Sequence, residues 1–362
     1  MQTKFWLLDK NKNLKTQLAE AANLVRRGEV IAFPTETVYG LGANGLDGKA
    51  AKKIFAAKGR PADNPLILHI ADKAAISLLS KNLSTSALRL MDNFWPGPLT
   101  IIVPKSEAIP KEVTAGLETV AVRMPSHPIA RALIELAGCP IAAPSANKSG
   151  KPSPTNAQAV QEDMEGIIAG IIDGGPSDIG VESTIVDTTS PLPTILRPGG
   201  ITLEMLEEVL GAVEIDPGLL RENQIPKAPG MKYRHYAPKA EMYLLEGNDA
   251  SSQIGFFVAQ AVANGKKIGV LADADAVCKL MTSRQIFSHC WGSTQSELAE
   301  KLYDYLRRFD QENVDIIVAQ GVSEDGLGLA IMNRMRKAAG NNIFKAENGK
   351  LILQSGTIPS FL

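Results

Sequence analysis

The stretch FPTETVYGLG, residues 33–42, decides how the first half of the chain is organised. It follows the apolar run VIAF at 30–33, which predicts a short buried strand. Pro34 has no backbone N–H to give to a sheet, so we expect the strand to end there. The hydroxyls and the carboxylate that follow would then lie at the carboxyl end of a strand, where open α/β sheets bind their ligands. The stretch therefore predicts a binding loop.

The composition is that of an ordinary globular protein. Of the 362 residues, 44% are hydrophobic and 21% charged, and the formal net charge is −1, so no general attraction to nucleic acid or anionic lipid is expected. The three cysteines, Cys139, Cys278 and Cys290, are too few for a disulfide framework, and no metal-ligand spacing stands out. No run reaches the ~18 apolar residues of a membrane span, and no signal-peptide pattern is present. These features predict a cytoplasmic protein without membrane contact and without a metal held by its own side chains.

Apolar periodicity divides the chain into two α/β parts. Strands and helices alternate irregularly over residues 1–215, which predicts one α/β domain with a mixed sheet. The proline- and glycine-bearing segment 216–238 is typical of a linker, although its run MKYRHY at 231–236 is aromatic and basic. Residues 239–362 repeat a strand–helix unit. They predict a smaller, Rossmann-like domain with a largely parallel sheet.

The run GLGANG at 40–45 matches the GxGxxG pattern of dinucleotide-binding proteins but lacks its context. In that fingerprint the first glycine follows a strand at once, whereas residues 34–39 intervene here. We therefore expect a plain turn at 40–45. The sequence contains no Walker-type GxxxxGK[ST] loop, so a bound nucleotide would have to be held without one.

Two cations flank a glycine at the end of a predicted helix, as Lys58, Gly59 and Arg60. A lysine point charge and a planar arginine fork can converge on phosphate oxygens. The same cations could simply complement the helix dipole, and the sequence leaves both interpretations open. Arg123 lies in an otherwise apolar strand. It predicts an anionic partner, either Glu36 or a ligand carboxylate.

A second polar loop, SANKSGKPS at 145–153, follows the strand predicted at 140–144. Loops of this composition are common as mere connections. Because this is the second strand whose carboxyl end opens into such a loop, we expect the two loops to line one cleft. His69, on an apolar strand, fits either a core histidine or a ligand contact.

Four segments together resemble the threonylcarbamoyl-AMP synthase family in its long, two-domain form. They are PTETVYGL at 34–41, KGRP at 58–61, SAN at 145–147 and PGMKYRHYAP at 229–238. The resemblance implies a YrdC-like α/β domain with a twisted mixed sheet, and a nucleotidyltransferase that condenses L-threonine, bicarbonate and ATP into threonylcarbamoyl-AMP and pyrophosphate. That product would serve the threonylcarbamoyl modification of adenosine beside the tRNA anticodon, through the downstream tRNA threonylcarbamoyl-transferase machinery.

The resemblance also implies roles for single residues. Lys58 and Arg60 would carry the charge that builds on phosphate oxygens in the transition state. The residues that look like L-threonine contacts are Thr37, His69, Arg123, Ala143 (through its backbone) and Ser183. The residues that look like ATP contacts are Arg60, Asn64, Thr119, Ser145, Asn147, Ser153, Arg197 and Tyr236. Mg²⁺ is expected with ATP, held mainly by phosphates and water, and the segment 216–238 is expected to act as a lid over the active site.

Two other functions stay open at this point. The family's fold also resembles double-stranded RNA binders, so a cleft lined by lysine and arginine could hold an RNA backbone. Such binding should weaken steeply with salt, unlike binding in a closed ATP pocket. The C-terminal domain could bind a nucleotide or partner of its own, but the turn GLG at 326–328 is too common to indicate more.

Overall fold

The computed structural model describes residues 2–9, 11–219, 236–340 and 342–362. Among these, residues 2–149 and 153–219 form one compact unit, and residues 150–152 and 236–362 form a second. The greater part of the predicted lid, 220–235, lies outside the described residues. The boundaries predicted at 215 and 238 stay predictions.

The first unit is built on a mixed sheet of eleven strands. The strands are β1 (Lys4–Leu7), β2 (Ile31–Phe33), β3 (Gly40–Asn44), β4 (Ile67–His69), β5 (Leu99–Pro104), β6 (Thr119–Arg123), β7 (Ile141–Ala143), β8 (Gly170–Asp173), β9 (Thr184–Asp187), β10 (Thr194–Arg197) and β11 (Glu214–Ile215). Their order is β1-β8-β2-β3-β7-β4-β6-β5-β9-β10-β11. The central pairs include both kinds, for example β4 parallel to β6 and β4 antiparallel to β7. The predicted mixed α/β domain is confirmed.

Helices cover this sheet. They are α1 (Leu14–Arg26), α2 (Gly48–Lys58), α3 (Ile76–Leu79), α4 (Thr85–Phe94), α5 (Lys111–Thr114), α6 (Pro128–Ala137), α7 (Ala157–Met164) and α8 (Leu203–Leu210). One large apolar cluster joins α2, α4 and α7 to side chains such as Leu68 and Val122, and a second cluster joins α1 and α6 to Ile31 and Ile141. Because side chains alternate along a strand, the residues next to Leu68 on β4 and next to Val122 on β6 point to the opposite face of the sheet.

The expectation of a plain turn at 40–45 is wrong. Gly40–Asn44 forms β3, which pairs antiparallel with β2 and with β7. Glycine is needed at position 42 for packing, because a Cβ there would lie 2.6 Å from the Phe33 ring and 2.5 Å from Ile141. Glycine therefore marks a close approach of side chains to the backbone here.

The second unit is a six-stranded sheet with helices. Its strands are β12 (Glu241–Glu246), β13 (Ile268–Ala272), β14 (Ile286–Cys290), β15 (Ile316–Gln320), β16 (Ile343–Glu347) and β17 (Lys350–Ser355); its helices are α9 (Ala250–Ala263), α10 (Ala274–Cys278), α11 (Gln295–Glu312) and α12 (Gly328–Ala339). The order is β14-β13-β15-β12-β16-β17, and every pair is parallel except β16 with β17. The predicted Rossmann-like domain with a largely parallel sheet is confirmed. Across the described ranges, no helix has both the length and the apolar character to cross a bilayer.

Candidate active site

One face of the first unit's sheet carries a row of polar side chains across neighbouring strands. The strand register opposes His69 on β4 to Arg123 on β6, and Arg123 to Thr100 on β5. The Thr100 hydroxyl is hydrogen-bonded at 2.8 Å to the hydroxyl of Ser183, the residue before β9. All four side chains are buried. Three of the predicted threonine contacts, His69, Arg123 and Ser183, therefore lie along one row.

An apolar row lies beside the polar one on the same face. Two residues away along each strand, Ile67 opposes Ala121 and Ala121 opposes Ile102. These belong to a buried cluster of five residues: Ile67, Ile102, Ala121, Ile185 and Leu196. Rows two residues apart are separated by about 7 Å. The backbone of Ala143 pairs with Ile67, so this predicted threonine contact lies beside the apolar row.

Several of the predicted ATP contacts lie beyond the apolar row. Thr119 is the first residue of β6, four residues or about 13 Å from Arg123. Because β4 is parallel to β6, the segment that leads into β4, with Asn64, lies at the same end. Because β7 is antiparallel to β4, the loop after β7, with Ser145 and Asn147, also lies there. The register thus places these contacts at the end opposite the polar row.

Arg123 is surrounded by oxygen atoms. Its Nη2 atom lies 2.7 Å from Oε1 of Glu36, and the two side chains are only 4% and 6% exposed. Nη1 donates to the Thr37 hydroxyl at 2.9 Å, and Nε donates to the Gly97 carbonyl at 3.4 Å. The sequence predicted either Glu36 or a ligand carboxylate as the partner of Arg123. In the structure, Glu36 forms an ion pair with it.

The Arg123–Glu36 pair is close but poorly aligned. Within the described part of the chain, neither Nη2 of Arg123 nor Oε2 of Glu36 makes a hydrogen bond, and both atoms are buried. Oε1 of Glu36 accepts a hydrogen bond from the backbone N–H of Ser126 at 3.1 Å. Burial pushes the pKa of the Glu36 carboxyl upwards, but the positive charge of Arg123, with the hydrogen bond from the Ser126 N–H, outweighs this and holds the pKa below its ordinary value.

His69 is a neutral hydrogen-bonding group. Its burial, together with the nearby charge of Arg123, lowers the pKa of the ring to about 3. Nδ1 lies 3.1 Å from the carbonyl oxygen of Ile67 and 3.3 Å from that of Ile141, so the ring proton belongs on Nδ1. Nε2 is then a hydrogen-bond acceptor, suited to a hydroxyl or an amine.

Lys58 supports the loop after β7. It is the last residue of α2, which begins after Asp47, whose side chain caps Lys49 N–H, and ends at Gly59 in the left-handed conformation with φ of 61°. The Lys58 ammonium donates to the carbonyl of Ser145 at 2.5 Å, to that of Asn147 at 2.6 Å, and to Oδ1 of Asn147 at 3.2 Å. The sequence predicted that Lys58 either binds phosphate or complements the helix dipole, and neither interpretation included support of this loop.

Asn64 brings an unusual group to the end opposite the polar row. Its side chain is fully buried, yet neither Oδ1 nor Nδ2 makes a hydrogen bond to any described residue. Buried amides without partners are rare and call for an explanation such as a bound ligand. Nη2 of Arg60 donates to the Asn64 carbonyl at 3.1 Å, so these two predicted ATP contacts are adjacent.

The other predicted residues have partners that the sequence did not indicate. Oγ of Ser153 donates to Oε1 of Glu182 at 2.6 Å. Arg197 donates to the carbonyl and the hydroxyl of Ser183 at 3.0 and 3.1 Å, so it lies with the polar row. Neither Glu182 nor Thr100 was predicted from the sequence, although they contact the predicted site residues Ser153 and Ser183. For Thr100, a lone hydroxyl in the apolar strand β5 was the available signal.

Tyr236 belongs to the second unit. Its ring stacks on Tyr303 with centroids 5.2 Å apart, and the Arg334 guanidinium lies 5.7 Å from its centroid. The contact predicted between Tyr236 and ATP stays a prediction. Searched over the described residues, the chain has no cluster of three or more histidine, cysteine or acidic side chains able to hold a metal ion.

Comparison with protein families accounts for most of the chain. Residues 23–199 match the Sua5_yciO_yrdC family model, described as "Telomere recombination". Residues 201–340 match the model described as "Threonylcarbamoyl-AMP synthase, C-terminal domain".

Similar proteins cover both units. The threonylcarbamoyl-AMP synthase of Bacillus subtilis is 50% identical, over 95% of this chain and 100% of its own length. That of Pyrococcus abyssi is 52% identical, over 90% and 94%. The solved structure of P. abyssi Sua5 complexed with L-threonine superposes with a TM-score of 0.88 at 49% identity, covering 96% of this chain and 99% of that one. The resemblance noted in the sequence is confirmed, and the chain belongs to the threonylcarbamoyl-AMP synthase family.

Proposed function

We propose that this protein makes L-threonylcarbamoyl-AMP from L-threonine, bicarbonate or CO2, and ATP, with release of pyrophosphate. The family membership and the similarity to a structure that holds L-threonine support the proposal. The observation that carries it is a sheet with the buried Arg123 towards one end of its central strands and the unpartnered amide of Asn64 at the other end. The product would serve threonylcarbamoyl-adenosine formation beside the tRNA anticodon, taken up by the downstream tRNA threonylcarbamoyl-transferase machinery.

L-Threonine would bind at the polar row. Arg123 would bind its carboxylate, because a planar guanidinium matches two carboxylate oxygens. Thr37 and Ser183 supply hydroxyls beside Arg123, and the acceptor Nε2 of His69 suits the threonine hydroxyl. The amine would then extend over the apolar row towards the backbone of Ala143, where little water competes.

ATP would bind at the other end. The threonine amine adds to CO2 to give a carbamate, and the carbamate oxygen attacks the α-phosphorus as pyrophosphate leaves. Holding both reactants on one face makes this step effectively unimolecular. Negative charge builds on phosphate oxygens, which Arg60 would stabilise directly, while Lys58 adds its charge and keeps Ser145 and Asn147 in place.

The remaining predicted contacts would complete the nucleotide site. They are Asn64, Thr119, Ser153 and Tyr236, together with Arg197, which would approach ATP from its position beside Ser183. Magnesium is expected to accompany ATP and to neutralise phosphate charge when bound. Such an ion would be held mostly by phosphates and water. We also propose a catalytic domain at 1–215, a C-terminal domain at 239–362, and a lid at 216–238 that excludes water from the hydrolysable mixed anhydride.

The test is pyrophosphate release from ATP and bicarbonate, with and without L-threonine and with L-serine as the control. We expect release that depends on threonine and exceeds that with serine. Release without any amino acid would contradict the proposed reaction. No release, together with RNA retention that falls steeply with salt, would favour the RNA-binding alternative.

A further inference from the structure

Three residues of the polar loop after β7 belong to the second unit. Residues 150–152 cluster with 236–362, whereas their chain neighbours on both sides cluster with the first unit. The carbonyl oxygen of Gly150 accepts a hydrogen bond from the Ala237 N–H at 2.9 Å. The carbonyl oxygen of Pro152 accepts one from Nη2 of Arg307 at 2.6 Å. The middle of this loop is therefore held by residues of the C-terminal part of the chain.

One face of α11 provides most of this support. Tyr303, Arg307 and Asp310 follow one another at intervals of four and three residues on α11, so they lie on the same side of the helix. The Tyr303 ring stacks on Tyr236 with centroids 5.2 Å apart, and Asp310 accepts the Lys239 N–H at 2.7 Å. The same helix face therefore holds both the middle of the loop and the chain segment that leads into β12.

The helix is suited to hold a loop in a fixed position. It begins with a capping box formed by Thr294 and Glu297, and its inner side is completely buried, as at Leu306. Arg307 itself is only 7% exposed, so water competes little for its hydrogen bond to Pro152. Hydrogen bonds from a charged donor are stronger than those between neutral groups. The Pro152 carbonyl is therefore firmly attached to a rigid element.

The held residues adjoin groups that the proposed function assigns to ATP. Ser145 and Asn147 precede them in the loop, and Ser153 follows Pro152 directly. Consecutive Cα atoms are about 3.8 Å apart, so any displacement of Pro152 is passed on to Ser153. The chain also turns at Gly150, whose φ of 91° lies in the region that favours glycine. The loop can therefore keep one shape only while its middle is held.

We propose that the second unit positions the nucleotide loop, with Arg307 as the positioning residue that holds the Pro152 carbonyl. The inference rests on the proposed function, which assigns Ser145, Asn147 and Ser153 to ATP, and it adds a role for the C-terminal unit. Arg307 acts through the loop backbone rather than by binding ATP. Side chains on loops need such support to keep a productive geometry.

The test compares Arg307→Met with Arg308→Met in the full chain. Arg308, the next residue on α11, is 52% exposed and pairs with Asp304, so it is a matched control for the loss of one cation. Affinities for ATP and for L-threonine are measured by calorimetry. We expect Arg307→Met to weaken ATP binding about tenfold, because the loop loses a hydrogen bond from a cation, and to leave threonine binding unchanged. Arg308→Met should match the unchanged protein for both ligands.

Hydrogen exchange supplies a measurement that needs no ligand. The Ala237 N–H is bonded to the Gly150 carbonyl, so its exchange rate reports whether the loop is still held. We expect this amide to exchange about tenfold faster in Arg307→Met, and at the original rate in Arg308→Met. Thermal melting checks the folding of each variant.

Unchanged ATP affinity and unchanged exchange in Arg307→Met would overturn the inference and leave the proposed function intact. Equal weakening of ATP and threonine binding, with a lower melting temperature, would show a purely structural role and would also overturn it. If the unchanged protein binds no ATP, the proposed function and the inference both fail. Should Arg307→Met not fold, Arg307→Lys takes its place: it keeps a cation, so ATP affinity should fall by a smaller factor while threonine binding is unchanged, and an unaltered ATP affinity counts against the inference.

Discussion

The two ends of the active-site face are built differently. At the proposed threonine end, Arg123 and His69 come from paired strands, and their hydrogen bonds are made with buried neighbours. At the proposed nucleotide end, Ser145 and Asn147 lie on a loop that receives three hydrogen bonds from the Lys58 ammonium and is also held by a bridge from Ser145 to Gly40 and by the hydrogen bond from the Lys148 N–H to Asp163. Side chains on paired strands are held in position by the sheet, whereas side chains on a loop depend on the contacts that hold that loop. We therefore expect the amino-acid subsite to be preformed and the nucleotide subsite to be more sensitive to loss of the contacts that hold its loop, those of Lys58 above all.

The largest effect is expected at the threonine end, from Arg123→Met. The change leaves Glu36 as a buried charge without its partner, and breaking a buried pair in this way destabilises by about 3–5 kcal/mol. Threonine-dependent pyrophosphate release should also vanish. Denaturant unfolding and the release assay measure the two effects, and a variant with the original KM for threonine would contradict the assignment of Arg123.

Lys58→Met should disable the nucleotide end alone. Without the ammonium, two carbonyl groups of the loop lose their donor, and we expect kcat/KM for ATP to fall about 100-fold or more. Threonine binding measured by calorimetry should be unchanged. The matched control is Lys53→Met on the same helix, whose exposed ion pair with Glu29 should contribute less than about 1 kcal/mol. Equal losses for threonine and ATP would contradict the separation of the two ends.

His69 should make stability at the threonine end depend on pH. Its folded-state pKa, about 3, lies below the ordinary histidine value of about 6.5, so between these values the unfolded chain binds the extra proton. Stability should therefore fall as pH decreases from 6.5 towards 3, by about 2 kcal/mol at pH 5 from this residue. His69→Gln should flatten that part of the profile in thermal melting. An unchanged slope would mean that His69 is not held neutral in the fold.

Asn64→Leu should separate stability from function at the nucleotide end. Replacing a buried, unsatisfied amide by an apolar side chain of similar size should stabilise the fold by about 1–3 kcal/mol. ATP affinity should fall about tenfold, because the amide is lost to the ligand. Unfolding by denaturant and ATP titration test this, with Asn93→Leu, which alters an exposed amide, as the control. A destabilised variant with normal ATP affinity would show that Asn64 is structural.

The predictions from the sequence were most accurate for residues that can play few structural roles. A cation inside the apolar strand β6 needs an anion, so Arg123 was identified, with Glu36 as one possible partner. Glycine has no such restriction, because it occurs both in turns and where side chains pack closely against the backbone. The sequence therefore predicts a turn at 40–45, where the structure has the strand β3. The polar and apolar rows depend on the register of strands distant in the chain, which local patterns do not encode. The unsatisfied atoms of Glu36 and Asn64 are visible only once burial is known.

The missing side chain at Gly42 has a consequence for how this site can evolve. The Phe33 ring occupies the space that a methyl group at position 42 would need, and that ring meets the His69 imidazole edge-on at 6.1 Å. Any larger residue at Gly42 would push Phe33, and with it the histidine, without touching a substrate. We therefore expect substitutions at Gly42 to alter substrate choice through Phe33 and His69, although Gly42 itself contacts no substrate.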